Sequence, residues 1–221
     1  MNGYSRGDAT GEEPAPGGLR ERRRRETQRE LSDAAIDLFE KHGVGGTTVD
    51  DIARRAGTSP RTFFRYFATK EAAVLPTPEE SESMLTAVSE AIGSGTPLLR
   101  ALESSWLAQI AQFDSRPDEH ERALRIRRLI GHEPTLLALA LRTEAEQVDA
   151  LTGVAVDAAG SDPDILTARA AIGIVFFIVR LAFDEWARRA ELGTSGSVRD
   201  IYLEIRRSTA AMSDQLGDSP A

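Results

Sequence analysis

The 221-residue sequence has no cysteine, which excludes a disulfide scaffold, a thiolate zinc site and a cysteine nucleophile. Histidine is nearly as scarce: His42, His120 and His132 are scattered, and no H-E-x-x-H pattern forms. No stretch alternates with period two over a useful length, so strands are not expected. Gly43, Gly45 and Gly46 follow no strand, which removes a glycine-rich phosphate loop. With no nucleophile–base pattern and no metal spacing either, neither an enzyme nor a bound cofactor is expected. The first 19 residues hold no apolar run of signal-peptide type. The longest apolar run, Ala170 to Val179, is short for a bilayer span and is closed by Arg169 and Arg180. No membrane partner is expected, and the expected location is the cytoplasm.

What is present is an ordinary globular composition, 41% hydrophobic and 28% charged, enough to bury a core in one or two domains. The net charge of -8 hides an asymmetry. From Arg20 to Lys70 there are 12 basic and eight acidic residues, a segment of about +4, so the remainder carries about -12. A basic block on an acidic body points to a polyanion-binding head joined to something else, unless the run Arg22–Arg25 is only a solvated face.

Residues 1–19, rich in glycine, proline and small polar groups, read as a disordered arm. A helical pattern begins at Arg20: Leu31, Ala34, Ala35, Leu38 and Phe39 fall on one face, and Gly43 ends the run. Thr47 or Thr48 caps a short second helix, with Thr47–Asp50 at capping-box spacing, an apolar face of Val49, Ile52, Ala53 and Ala56, and Gly57 at its end. A tight turn leads to a third helix with Ser59 as N-cap and Pro60 at its first position, where a missing N–H costs nothing. Phe63 and Phe67 face the first two helices. Thr69 caps a fourth helix beginning at Lys70-Glu71, soon broken by Pro76 and Pro78. Further helices are expected near 79–92, 96–113, 118–131, 135–159, 163–191 and 197–216. The fold class is all-α: a head at 20–70 and a helical body at 71–221.

Two short helices joined by a tight glycine-bearing turn make a helix-turn-helix. The first braces against the DNA backbone and sets the second into the major groove. Ser59, Arg61 and Thr62 sit on the exposed first turn of that second helix, and Arg61 has the fork to read guanine O6 and N7. The helix starts at Thr48 and Lys70 suit phosphate oxygens.

The stretch GGTTVDDIARRAGTSPRTFFRYFATKE, Gly45 to Glu71, resembles the DNA-binding domain of the tetracycline-repressor family of bacterial transcription regulators. The resemblance implies base contacts from Arg61 and Thr62, phosphate contacts from Thr48, Tyr66 and Lys70, and a head core of Ile52, Ala53, Phe63 and Phe67. Phe64 stands where many members carry tyrosine, so a ring against a thymine methyl or sugar replaces a phenol–phosphate contact. Thr47, Ser59, Pro60 and Arg65 complete the expected DNA-binding set, together with Arg22 and Arg23 of the arginine run, which resembles the basic arms some members lay along DNA.

The resemblance also implies that the remaining helices form a homodimer around a small-molecule pocket. The expected dimer face is Ala171, Val175, Ala182, Ile201 and Ile205. The expected pocket lining is Met84, Trp106, Ile110, Phe113, Phe176, Phe177 and Arg180, although any of these apolar groups also suits a plain core. Arg180 either faces a partner or ligand, or pairs with Asp184 one turn on. The segment Arg125 to Leu136 is similar to regulators of the mycofactocin-regulator type, which implies an acyl-CoA-type effector. The expected function is a ligand-responsive repressor that binds double-stranded DNA at a palindrome and is released by a small apolar or amphipathic effector. A chromosome-structuring DNA binder without effector, or an activator, are the alternatives. Pro76 and Pro78 are either a hinge that localises a bend after the head or a passive surface break.

Overall fold

A computed structural model describes residues 16–159, 164–194 and 196–217. Among them the chain forms nine α-helices and one 3-10 turn, and no strand. The all-α expectation holds. The chain divides into two compact units between Ala73 and Val74.

The first unit holds α1 (Pro16–His42), α2 (Val49–Arg55) and α3 (Pro60–Tyr66). Helix α1 starts at Pro16, ahead of the expected Arg20; the rest of the expected arm, residues 1–15, lies outside the described residues. Its inward face is Leu31, Ala34, Ala35, Ile36 and Phe39, all buried, while Leu38 is half-buried. The buried set includes Ile36, which lies outside the expected face. Gly43 ends α1 with φ 71°, a left-handed conformation that glycine adopts without a Cβ clash. Ile52, Ala53, Phe63 and Phe67 are buried, with the Phe63 and Phe67 rings 5.5 Å apart. Each such large apolar side chain contributes roughly 1.5–3 kcal/mol by leaving water.

The expected fourth helix at Lys70 is instead a 3-10 turn, Glu71–Val74. The Ala72 N–H donates to Thr69 Oγ1 at 3.2 Å, so the Thr69 cap is real, but only one turn follows. Helix α4 starts at Pro78, capped by Thr77 in a capping box with Glu80. Pro78 thus begins a helix and does not, as expected, break one, because its first-turn position needs no N–H.

The second unit holds α4 (Pro78–Gly93), α5 (Leu98–Asp114), α6 (Pro117–His132), α7 (Pro134–Ala159), α8 (Ile165–Glu191) and α9 (Val198–Gly217), within about two residues of the expected spans. Its core joins Met84 and Val88 of α4, Leu102 and Ile110 of α5, Leu151 of α7, Ile172, Phe176, Val179 and Trp186 of α8, and Ile201 and Tyr202 of α9. Ion pairs cross-link the helices: Arg127–Asp184 at 2.9 Å and Arg128–Glu191 at 2.7 Å join α6 to α8. Asp114 at the end of α5 accepts the Val198 and Arg199 N–H groups at 3.0 and 3.2 Å, satisfying amides that α9 leaves without helical partners. By length and composition α8 is able to cross a membrane, longer than the apolar run alone suggested. Its buried row, from Ile172 to Ala187, instead forms part of the core just described.

Candidate nucleic-acid interface

The head is built from its caps outward. Thr48, not Thr47, caps α2: the Asp51 N–H donates to Thr48 Oγ1 at 3.2 Å and the Thr48 N–H donates to Asp51 Oδ2 at 3.1 Å. This reciprocal box satisfies two amides at once. Its hydrogen bonds, from the Thr48 hydroxyl first and its backbone N–H second, hold the Asp51 carboxyl below its usual range. Thr47 is displaced inward. It is 2% exposed, and its hydroxyl reaches Gly43 O at 2.9 Å and Leu38 O at 3.2 Å. The expected DNA contact from the Thr47 side chain is therefore corrected, since that hydroxyl closes the end of α1.

Between α2 and α3 the chain turns through Gly57 at φ 66°, and the Thr58 N–H donates to Ala53 O at 2.8 Å. Ser59 Oγ accepts the Thr62 N–H at 3.1 Å, with Pro60 at the first helical position as expected. An ion pair from Arg55 to Asp37 fastens α2 to α1.

Helix α3 then sorts its side chains sharply. Phe63 is fully buried beneath it, while Arg61, Phe64 and Arg65 stand exposed, Phe64 at 58%. Thr62 and Tyr66 lie half-buried at the flanks. The Arg65 guanidinium sits over the Tyr66 ring at 5.1 Å and donates to its hydroxyl at 3.3 Å. A large exposed aromatic ring between two arginines is costly to leave in water and suits a base-edge or sugar surface. Arg22 and Arg23 are exposed on α1, whereas Arg24 and Arg25 bind Glu21 at 3.1 and 2.9 Å. The arginine run is thus partly neutralised.

Lys70 departs from expectation. Its Nζ donates to Val44 O at 2.7 Å and to Thr47 O at 2.8 Å, so the ammonium staples the loop between α1 and α2. No periodicity signals this contact, because it joins residues 23 and 26 positions apart.

Residues 31–75 match the model of bacterial regulatory proteins of the tetR family. The HTH-type transcriptional regulator TcmR of Streptomyces glaucescens is 32% identical over 179 residues, 79% of each chain. The chain belongs to the TetR family. A protein of Mycobacterium tuberculosis named for transcriptional regulation of mycofactocin biosynthesis, MftR, is 37% identical over 105 residues, 48% of this chain and 53% of that one. Among solved structures, native NalD of Pseudomonas aeruginosa aligns with a TM-score of 0.47 at 19% identity, covering 83% of this chain and 96% of that one. As a TetR-family member the chain is a DNA-binding transcriptional regulator, and its helix-turn-helix is the α2–α3 pair.

The body residues fall out differently from the expected lists. Val175, Ala182 and Ile201 are buried in the chain's own core, so they leave the expected dimer face; Ala171 and Ile205 are half-buried. Phe177, expected in the pocket, is 48% exposed, in a row with Ile174 at 51% and Leu181 at 38%. These three sit at i, i+3 and i+7 on α8 and form one outward stripe. Arg180 pairs with Glu144 at 3.0 Å and lies over the Phe177 ring at 5.5 Å, while Asp184 pairs with Arg127. Met84, Ile110 and Phe176 are core residues, with Trp106 and Phe113 packed half-buried against them. An α8 with apolar residues on more than one side was visible in the sequence; which side faces the core was not.

Proposed function

We propose that this TetR-family regulator is a homodimeric repressor that inserts α3 of each copy into the major groove at a palindromic operator and leaves it when an effector occupies the body. The observation that carries this reading is the exposed trio Arg61, Phe64 and Arg65 on a helix anchored by buried Phe63. Arg61 and Thr62 read base edges, and Ser59, Pro60, Tyr66, the capped start of α2 at Thr48 and the Lys70 backbone line the phosphates. Arg22 and Arg23 add sequence-independent attraction. The outward stripe Ile174, Phe177 and Leu181 supports pairing with a second copy, since an unpartnered apolar helix face of this length is covered at low cost by its own symmetry mate. Two α3 helices then meet half-sites about 34–36 Å apart. A small apolar or amphipathic effector that prefers the mis-spaced form lowers operator affinity by its differential affinity for the two forms. Such a regulator acts where the chromosome lies, in the cytoplasm.

Selection of bound duplexes from a random pool by the purified full-length protein tests the reading. The expected product is an inverted repeat with half-site centres one helical turn, or a multiple, apart. Enrichment of scattered single half-sites, or of nothing, overturns it.

A further inference from the structure

Helix α3 leaves one large apolar side chain in the open. Among the described residues of the first unit, Phe64 at 58% and Leu19 at 38% are the exposed large hydrophobic groups. Leu19 lies near the start of α1, whereas Phe64 stands within the helix-turn-helix. Its ring forgoes the burial that stabilises Phe63 and Phe67, and it has no hydroxyl with which to reach a phosphate.

The ring is both aimed and held. At about 100° per residue, Arg61, Phe64 and Arg65 span roughly 100° of α3, with buried Phe63 nearly opposite the middle of that arc. The Phe64 ring stands perpendicular to Phe63 with centroids 5.6 Å apart, and Phe63 packs in turn on Phe67 at 5.5 Å. A ring braced in this way gives up little side-chain freedom when something covers it. Arg65 is drawn to the other flank, its guanidinium over Tyr66 and donating to the Tyr66 hydroxyl at 3.3 Å. Arg61 and Phe64, one helical turn apart, remain as neighbours on the exposed side.

The chemistry of the major groove decides what such a ring can read. Adenine, guanine and cytosine present hydrogen-bonding edges there, and thymine adds a methyl group at C5. A ring pressed on an amino or carbonyl edge leaves that group without a partner, which is a net cost. Pressed on the methyl, it removes two apolar surfaces from water at once. Arg61 and Arg65 beside it carry the charge that the neighbouring phosphates attract.

We infer that Phe64 is a specificity-determining residue whose ring covers the 5-methyl group of a thymine within two base pairs of the pair that Arg61 meets. The spacing follows from about 4.5 Å of helix rise between the two residues, against about 3.4 Å per base step. The inference rests on the proposed seating of α3 in the major groove and adds a base to it.

The probe is a duplex recovered from the random pool by the wild-type protein, with each thymine of a half-site replaced singly by deoxyuridine. That exchange deletes the methyl and leaves the hydrogen-bonding edges as they were. At one position it is expected to weaken wild-type binding about fourfold, the ratio that burying one methyl group confers. With the exchange in both half-sites the loss is about sixteenfold, since distant contacts add. F64A is expected to be indifferent to the same exchange, and its own selected pool to lose that thymine while keeping the neighbouring base pairs. Where cytosine takes the place of the thymine, 5-methylcytosine is expected to bind wild-type protein more tightly than cytosine does. The deoxyuridine scan needs no variant protein to fold. Wild-type binding indifferent to every deoxyuridine, or an effect of equal size in F64A, overturns the Phe64 role. A pool of single half-sites overturns the dimeric reading, and the scan of those half-sites still decides the Phe64 role. A pool that enriches no sequence overturns both.

Discussion

Replacing Lys70 by methionine separates two roles that this position can have in DNA binding. The family resemblance gives it a phosphate; the structure gives its ammonium two carbonyls, Val44 O and Thr47 O, at 2.7 and 2.8 Å. Each charge-assisted hydrogen bond contributes roughly 1.5–3 kcal/mol where it is shielded. Lys70 is half-buried, so solvent competes and a total near 2 kcal/mol for the pair is the reasonable figure. Methionine keeps the stem and its packing, which isolates the ammonium. For a unit of this size 2 kcal/mol lowers the melting temperature of the head by roughly 10 °C. DNA affinity falls because Thr47 and Thr48 no longer hold the start of α2 in place. The slope of log affinity against log salt decides the matter, since each phosphate neutralised contributes about 0.9 to it. A staple leaves the slope of Lys70→Met unchanged at reduced affinity. A slope shallower by about one, with the melting temperature unmoved, refutes the reasoning and puts the ammonium on a phosphate.

Four other outcomes are expected. Arg61→Ala costs about 1–3 kcal/mol of operator affinity and relaxes preference at one base pair per half-site, read by binding to single-substitution operators. Arg22→Ala with Arg23→Ala weakens binding to all sequences alike and flattens the salt slope by up to about two, because neither side chain is spent on Glu21. Phe177→Asp puts a charge into the exposed α8 stripe and converts a dimer into a monomer in sedimentation without unfolding the chain, since its ring is 48% exposed; an unchanged dimer moves the interface elsewhere. Burial first, and the Glu103 carboxylate second, push the Tyr202 phenol up to about 12. Its folded-state value lies above the unfolded one near 10, so this contribution is whole below pH 10 and is lost as pH rises from 10 through 12. Ultraviolet titration should show a late tyrosine step that Tyr202→Phe removes.

Local rules decided much of this protein in advance. A helix end needs a side-chain oxygen or a left-handed residue within one turn, so Ser59, Pro60, Gly43, Gly57 and Thr69 could be placed from neighbours alone, and α5 to α9 followed from their punctuation. The exposed residues of α3 were equally legible, because Phe63 and Phe67, four apart and both buried, leave this short helix only one other side. The failures are those where a second chain segment chooses between two locally equivalent options. Thr47 and Thr48 are both able to cap, and the carbonyls of Leu38 and Gly43 drew Thr47 inward. Helix α8 is apolar almost all round, and only its packing against α5, α7 and α9 showed that Val175 and Ala182 face the core while Ile174, Phe177 and Leu181 do not. Arg180 chose Glu144, 36 residues away, over Asp184 one turn on, and Lys70 reached back across 26. Spacing along the chain determines which groups a helix presents on one side; which of those sides meets protein is a free-energy comparison among distant surfaces, and that comparison exists only once the chain has folded.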